Sequence, residues 1–354
     1  MSVTRRRRAW LVATLLLGGA LMIVGIVVPM PFVELAPGPT FNVIGDYQDK
    51  PVLSITGTTT YPTAGHLDMT TVNERGGPRS GINIGRIVVG WADPNVRVLP
   101  RSALFPDEER SDAEVKEENV RAFSDSQADA IAASLSYLDR PYETLVVVSS
   151  VRGGTPADGK LEPGDQLLEV AGRPIVTTED VGKAMSTVKP GDPVTVAYSR
   201  AGTKGTTTIV TTTSPVDPGR AFLGITVGET YKAAPPTVID FSLDGVGGPS
   251  AGLMFSLGIV DKLTPGELNG GKFVAGTGTM APDGTVGPIG GIEQKLVGAR
   301  RSGASLFLAP VDNCAAVLRT TVPDGLTVAK VTTLTDAVAA VEAYAAGKPV
   351  TPCS

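Results

Sequence analysis

The chain has 354 residues, 42% hydrophobic and 19% charged, which is too long for one ordinary domain and too apolar for a disordered chain. A net charge of −5 and a pI of about 5.1 argue against a nucleic-acid-binding protein. The single histidine and two cysteines (His66, Cys314 and Cys353) are too few and too scattered for a zinc site, and any histidine-assisted nucleophile would have to use His66.

Arg5, Arg6, Arg7 and Arg8 precede an uncharged stretch over 9–28 that ends at Pro29. About 20 residues at ~1.5 Å each span roughly 30 Å, the thickness of a bilayer core. No basic residue follows until Lys50, so the charge asymmetry keeps residues 1–8 in the cytoplasm, makes 9–29 a membrane anchor and places the rest outside the cytoplasm. A cleaved signal peptide is the alternative, but the apolar stretch is long and no A-x-A site follows it. Pro29, Pro31, Pro37 and Pro39 read as a stiff lead-out from the membrane.

Residues 30–142 read as a β-rich region ending in a helix, with short strands expected at 40–44, 52–56, 65–72 and 82–89. His66 falls in the third of these and reads as a structural side chain. The charge-rich run 106–119, with Asp107, Glu108, Glu109, Arg110, Asp112 and Glu114, reads as a solvated loop or helix face. An amphipathic helix follows, with Val120, Phe123, Ile131, Leu135 and Leu138 near one face.

A further module occupies 143–213. A β-branched run at 144–151 leads into Pro156-Ala157-Asp158-Gly159-Lys160-Leu161, then Gly164-Asp165-Gln166-Leu167 and Val170-Ala171-Gly172. A helix is expected near Thr178, with Glu179 and Asp180 in its first turn, and strands at 194–199 and 206–212 close the unit. This pattern resembles a PDZ domain. The resemblance implies an extended peptide bound along a sheet edge, although no glycine-rich carboxylate-binding loop is evident at the groove entry.

Three short patterns offer chemistry. Gly266-Glu267-Leu268-Asn269-Gly270-Gly271-Lys272 has phosphate-loop spacing, but Phe273 stands where the Mg²⁺-binding hydroxyl belongs and a strand follows, so no ATP site is expected. Ser186-Thr187-Val188-Lys189 lacks the companion elements of an S-x-x-K enzyme. Gly248-Pro249-Ser250-Ala251-Gly252 spells a nucleophile elbow, yet no histidine follows it, which excludes the α/β-hydrolase mechanism.

Ser250 nonetheless opens a stretch apolar nearly all round, read as a buried helix whose unpaired N–H groups can hold an oxyanion. Taken alone, it also fits an ordinary helix N-cap serine. Farther on, Ile289-Gly290-Gly291-Ile292-Glu293-Gln294-Lys295 is a glycine turn opening another helix, with Lys295 in its first turn. The helix dipole and apolar surroundings both lower a lysine pKa there, towards the range a general base needs.

Paired 45 residues apart, these motifs resemble the proteolytic domain of the Lon proteases, over residues 222–345. The resemblance makes Ser250 the nucleophile and Lys295 the base, with backbone N–H groups of Ser250 and Ala251 as the oxyanion hole. Thr277, in Ala275-Gly276-Thr277-Gly278, matches the threonine that orients the lysine, and Asn313 stands where the family often has an asparagine. Gly247 departs from the acidic residue often found three before the serine.

The expected fold is therefore α+β and multidomain: a transmembrane helix, a β-rich N-terminal region, a PDZ domain, an α/β Lon-like domain and a tail over 346–354. Together these parts resemble the YlbL-type secreted Lon-like proteases. The resemblance implies an ATP-independent, single-pass membrane serine endopeptidase acting on proteins or peptides outside the cytoplasm, without cofactor or metal. Lon-like domains commonly form rings, which implies a homo-oligomer as one arrangement. The rival reading is a catalytically idle Lon-like fold serving as a PDZ scaffold. Cys314 and Cys353 leave two readings open: a disulfide pinning the tail, or a buried thiol beside a frayed end.

Overall fold

A computed structural model describes residues 3–107 and 110–354. Glu108 and Glu109 of the charged run, and the first two residues of the expected basic tail, lie outside the described residues. Helix α1 (Val3–Val27) contains Trp10–Val27, a segment of mean hydropathy 2.4 that is long and apolar enough to cross a membrane. The proline-rich segment after it is not a separate lead-out. Strand β1 (Phe32–Asn42) begins almost at once, and a register break between Pro37 and Thr40 in its pairing with β2 (His66–Arg75) absorbs Pro37 and Pro39.

The strand expected at 82–89 is mostly helix. Ile82–Asn83 pairs with Pro29–Met30, and α2 (Ile84–Ala92) follows, capped by the Asn83 side chain, which accepts a hydrogen bond from the Arg86 N–H at 2.9 Å. Apolar residues at 84, 87, 88 and 91 have helical spacing, which outweighs the β-branched content of the segment. Strand β3 (Arg97–Pro100) comes next. Helix α3 (Asp112–Tyr137) absorbs the charged run from Asp112 onward, with Asp112 and Glu114 in its first turn.

The chain then forms β4 (Tyr142–Val151), β5 (Gln166–Val170), α4 (Thr178–Met185), β6 (Pro193–Arg200), β7 (Thr203–Val210) and β8 (Ile225–Ala233). These strands make an antiparallel sheet in the order β7-β6-β5-β4-β8. Val148, Leu161, Leu167, Val196 and Ile209 fill its core, and a capping box between Thr177 and Asp180 starts α4. This compact unit comprises Ile55–Thr58 and Ile131–Ile239, so it runs past the expected limit of 213. Its last strand, β8, lies in the stretch the sequence reading assigned to the following domain; β8 pairs with β4 from Ile225 to Ala233 and closes the edge that β4 would otherwise expose.

The remaining elements are α5 (Gly252–Leu263), β9 (Phe273–Gly276), α6 (Ile292–Ser302), β10 (Leu306–Pro310), β11 (Thr327–Val331) and α7 (Leu334–Ala345). They do not fold apart from the N-terminal region. One six-stranded mixed sheet runs β11-β10-β9-β2-β1-β3, in which β2 pairs in parallel with β9 on one side and antiparallel with β1 on the other. The second compact unit therefore joins the residues up to Ser54 and Thr59–Ala130 to Asp240–Ser354. The region 30–142 is not a domain of its own, because its main strands supply half of this sheet. Helix α5 packs against β2 and β9, α6 packs against β1 and β2, and Phe255 and Phe307 are fully buried.

Cys314 and Cys353 form a disulfide with Cα atoms 5.1 Å apart, which resolves the two readings in favour of a pinned tail. The Lys330 N–H donates to the Thr351 carbonyl at 2.9 Å, so the tail also lies along β11. Thiol titration of the denatured, unreduced protein is expected to find no reactive cysteine. Replacing Cys353 with serine is expected to lower the thermal midpoint, because closing a 39-residue separation is worth about 3–4 kcal/mol in the chain-entropy account.

Candidate active site

Helix α5 begins at Gly252, with Ala251 as its N-cap and no side-chain cap. Ser250 therefore stands just outside the helix rather than on its first residue, and its hydroxyl is not spent on capping. Among the described residues, the N–H groups of Ser250 and Ala251 have no protein acceptor, while the Ser250 carbonyl accepts from the Gly278 N–H and the Thr277 hydroxyl, both at 3.0 Å. These bonds fix the serine's backbone and leave the two N–H donors next to its hydroxyl without a protein partner among the described residues.

Lys295 reaches the same point from the fourth residue of α6. The residue that caps the helix, Gly291, has a φ of 69° in the left-handed region, and a side chain there would collide with Val72 of β2. The preceding turn is clasped by Asn313, which accepts from the Ile289 N–H at 3.0 Å and donates to the Ile289 carbonyl at 2.9 Å. The Lys295 amine then lies 2.7 Å from Ser250 Oγ and 2.8 Å from Thr277 Oγ1. Lys295 is 3% exposed and Thr277 is fully buried at the end of β9.

Burial drives the Lys295 pKa down to about 7, because an ammonium loses its hydration there and no carboxylate replaces it. The hydrogen-bond directions then follow. Thr277 gives its only hydroxyl hydrogen to the Ser250 carbonyl, so its lone pairs face the lysine and accept an N–H. A neutral amine held in this way has its own lone pair available for the Ser250 hydroxyl proton.

The Ser250–Lys295 pair opens into a cleft of about 1050 Å³. Thr70 and Val72 of β2 and Val115, Asn119 and Phe123 of α3 wall it, so the N-terminal segment builds much of the space facing the serine. Gly247 sits on this wall: a β-carbon there would lie 3.0 Å from that of Asn119, and the next N–H, of Gly248, donates to the Asn119 carbonyl at 2.8 Å. A side chain at 247 would therefore press on Asn119 of α3. These wall residues were not legible as site residues, because only the shared sheet brings them to the serine.

His66 is not among the residues lining the cleft. Its ring stacks on Phe273 at 4.2 Å, and its Nδ1 pairs with Asp68 Oδ1 at 3.2 Å, as a structural side chain does. Among the described residues, no group of His, Cys, Asp and Glu is arranged to hold a metal.

The burial of Lys295 has a sign in stability. With a folded pKa near 7 and an unfolded one of about 10.4, the unfolded chain binds more protons between those values. Stability should therefore rise with pH across that window, and the full penalty should apply below it. Lys295→Met should raise the urea midpoint most at about pH 6, with the advantage shrinking towards about pH 10. A pH-independent difference would refute the buried-amine account.

Residues 245–343 match the Lon protease (S16) C-terminal proteolytic domain, and residues 123–211 match a PDZ domain. The mitochondrial Lon protease homolog of Drosophila melanogaster is 38% identical over 91 residues, covering 25% of this chain and 9% of that protein. Lon protease 1 of Bacillus subtilis (strain 168) is 39% identical over 66 residues, covering 19% of this chain and 8% of that protein. The chain thus spans less than a tenth of the length of these relatives. The crystal structure of the PDZ domain of an SdrC-like protein from Listeria monocytogenes aligns at 26% identity with a TM-score of 0.22, covering 23% of this chain and 85% of that one. With both matches on one polypeptide, the chain is a PDZ-containing, Lon-like protein.

Proposed function

We propose that the chain is an ATP-independent serine endopeptidase in which Ser250 is the nucleophile and Lys295 the general base. The observation that carries this reading is the 2.7 Å contact between a buried amine, poised near neutrality, and the Ser250 hydroxyl. Ser250 Oγ attacks the scissile carbonyl carbon as its proton passes to Lys295 Nζ. The N–H groups of Ser250 and Ala251 hold the oxyanion. The resulting ammonium returns its proton to the leaving amine, and water, deprotonated by the same lysine, releases the acyl group. Thr277 keeps the lysine lone pair aimed at the serine.

In the same reading α1 anchors the protein in the cell membrane, and the arginines ahead of it hold its N-terminal end in the cytoplasm. The PDZ unit presents extended substrates. Of the two edge strands of its sheet, β7 and β8, the one that α4 contacts is β8, and an added strand would lie along its outer side. No unfolding engine is invoked, so substrates are unfolded, small or already extended.

Ser250→Ala should reduce cleavage of an unfolded protein to background, a loss of roughly 10³-fold or more. Lys295→Ala should do nearly the same, and Lys295→Arg should not rescue, since a guanidinium holds its proton at all working pH values. Thr277→Val should lower the rate roughly 10-fold without abolishing it, and His66→Ala should leave it intact. The rate of the unmodified enzyme should rise with pH through about 7. Full activity in Lys295→Ala would overturn the dyad. Absence of cleavage and of labelling by a serine-directed phosphonate would favour the idle scaffold.

An alkaline phosphatase fused after Ser354 should be active if the folded part lies outside the cytoplasm. Activity of a cytoplasmic reporter at that position would reverse the orientation.

A further inference from the structure

Helix α2 carries a face that an ordinary surface helix does not show. Ile84, Val88, Val89 and Trp91 are 40%, 56%, 69% and 68% exposed, Gly85 and Ala92 are exposed and uncharged beside them, and Arg86 is the one exposed charged residue of the helix. A helix on a soluble surface places charged residues there. Its one charged residue, Arg86, is turned to Glu34 of β1, which accepts from Nε and Nη2, each at 2.9 Å. Ile87 and Gly90 are buried on the sheet side, so the helix is held firmly with its apolar face outward.

The position of that face says what covers it. The two-residue strand before α2 pairs with Pro29–Met30, which directly follows α1. Helices α1 and α2 are in contact, and a β-carbon built on Gly25 would lie 3.9 Å from Ile84 Cβ. Ile84 therefore sits beside the last turn of the apolar helix, at the level where that helix would leave a bilayer. An indole at such a boundary has its apolar body in the acyl region and its N–H among the headgroups.

We propose that α2 is a membrane-docking helix that rests its Ile84, Val88, Val89 and Trp91 face in the lipid interface beside α1. The docking gives the anchored unit a second attachment, which restricts its swing and rotation about the anchor. The inference rests on the membrane reading of α1.

The chain has two tryptophans, Trp10 and Trp91, so the full-length Trp10→Phe protein reports on Trp91 alone. It would be reconstituted into vesicles of phosphatidylcholine and phosphatidylglycerol. Trp91 emission should be blue-shifted, protected from aqueous iodide and quenched by lipid carrying a nitroxide at the top of its acyl chain. Adding Val88→Asp and Val89→Asp, both exposed and away from the sheet contact, should restore iodide quenching several-fold. Flotation of the same samples separates the two readings. Protein that fails to float with vesicles removes the anchor and this inference together. Floating protein whose Trp91 is open to iodide removes the docking alone. Protection from iodide without nitroxide quenching means that protein covers the face, and overturns the proposal equally.

Discussion

A lysine amine enclosed by protein has two ways to exist: charged and stripped of water, or neutral and available as a base. Much of the architecture around Lys295 enforces the second. With no carboxylate beside it to stabilise the ammonium, the amine keeps a lone pair near neutral pH. Two hydroxyls meet it instead, and they differ in what their hydrogens do. The Thr277 hydrogen is committed to the Ser250 carbonyl, whereas the Ser250 hydroxyl makes no cap and can give its hydrogen to the lysine. One backbone carbonyl thus sorts acceptor from donor, with no histidine and no charged partner among the described residues.

That sorting depends on positions held to a few tenths of an ångström, and each is set by a different part of the sheet. Thr277 follows directly on the last residue of β9, its N–H bonded to the Leu308 carbonyl of β10 at 3.2 Å. Lys295 is set by a glycine turn pressed on Val72 of β2 and clasped by Asn313 beyond β10. Thr70 of β2 donates to the Gly276 carbonyl at 3.1 Å, one residue before Thr277. Because β2 comes from the N-terminal segment, the site cannot be complete in residues 245–343 alone. Ser250, Thr277 and Lys295 come from the C-terminal segment, and the distant N-terminal segment supplies the strand beneath them and much of the wall of the cleft.

The sequence therefore showed which side chains would meet more fully than it showed the architecture around them. Ser250, Thr277 and Lys295 were legible because their neighbours are glycines, alanine and proline in tight patterns that few other sites need. The pairing of β2 with β9 was not, since parallel neighbours some 200 residues apart leave no local trace, and the antiparallel unit between them in sequence looks like an ordinary boundary. Helix α2 was misread for a related reason: Ile, Val and Trp favour strands on average, but Asn83 and the helical spacing of the apolar residues decide the segment. Strand β8 falls in the stretch read with the following domain because nothing local in Ile225–Ala233 shows that its partner is β4.

The disulfide links the compartment to the site. Cys314 is the residue after Asn313, and its partner Cys353 lies in the tail that runs along β11. The covalent bond thus ties the tail to the segment whose asparagine holds the Ile289 turn, and that turn sets the start of α6. Structural disulfides of this kind persist in oxidising compartments and are rare in the cytosol. The proposed location and the geometry of the lysine therefore support each other. In that reading an oxidising environment closes the tie beside Asn313, whose bonds to Ile289 hold the turn that opens α6.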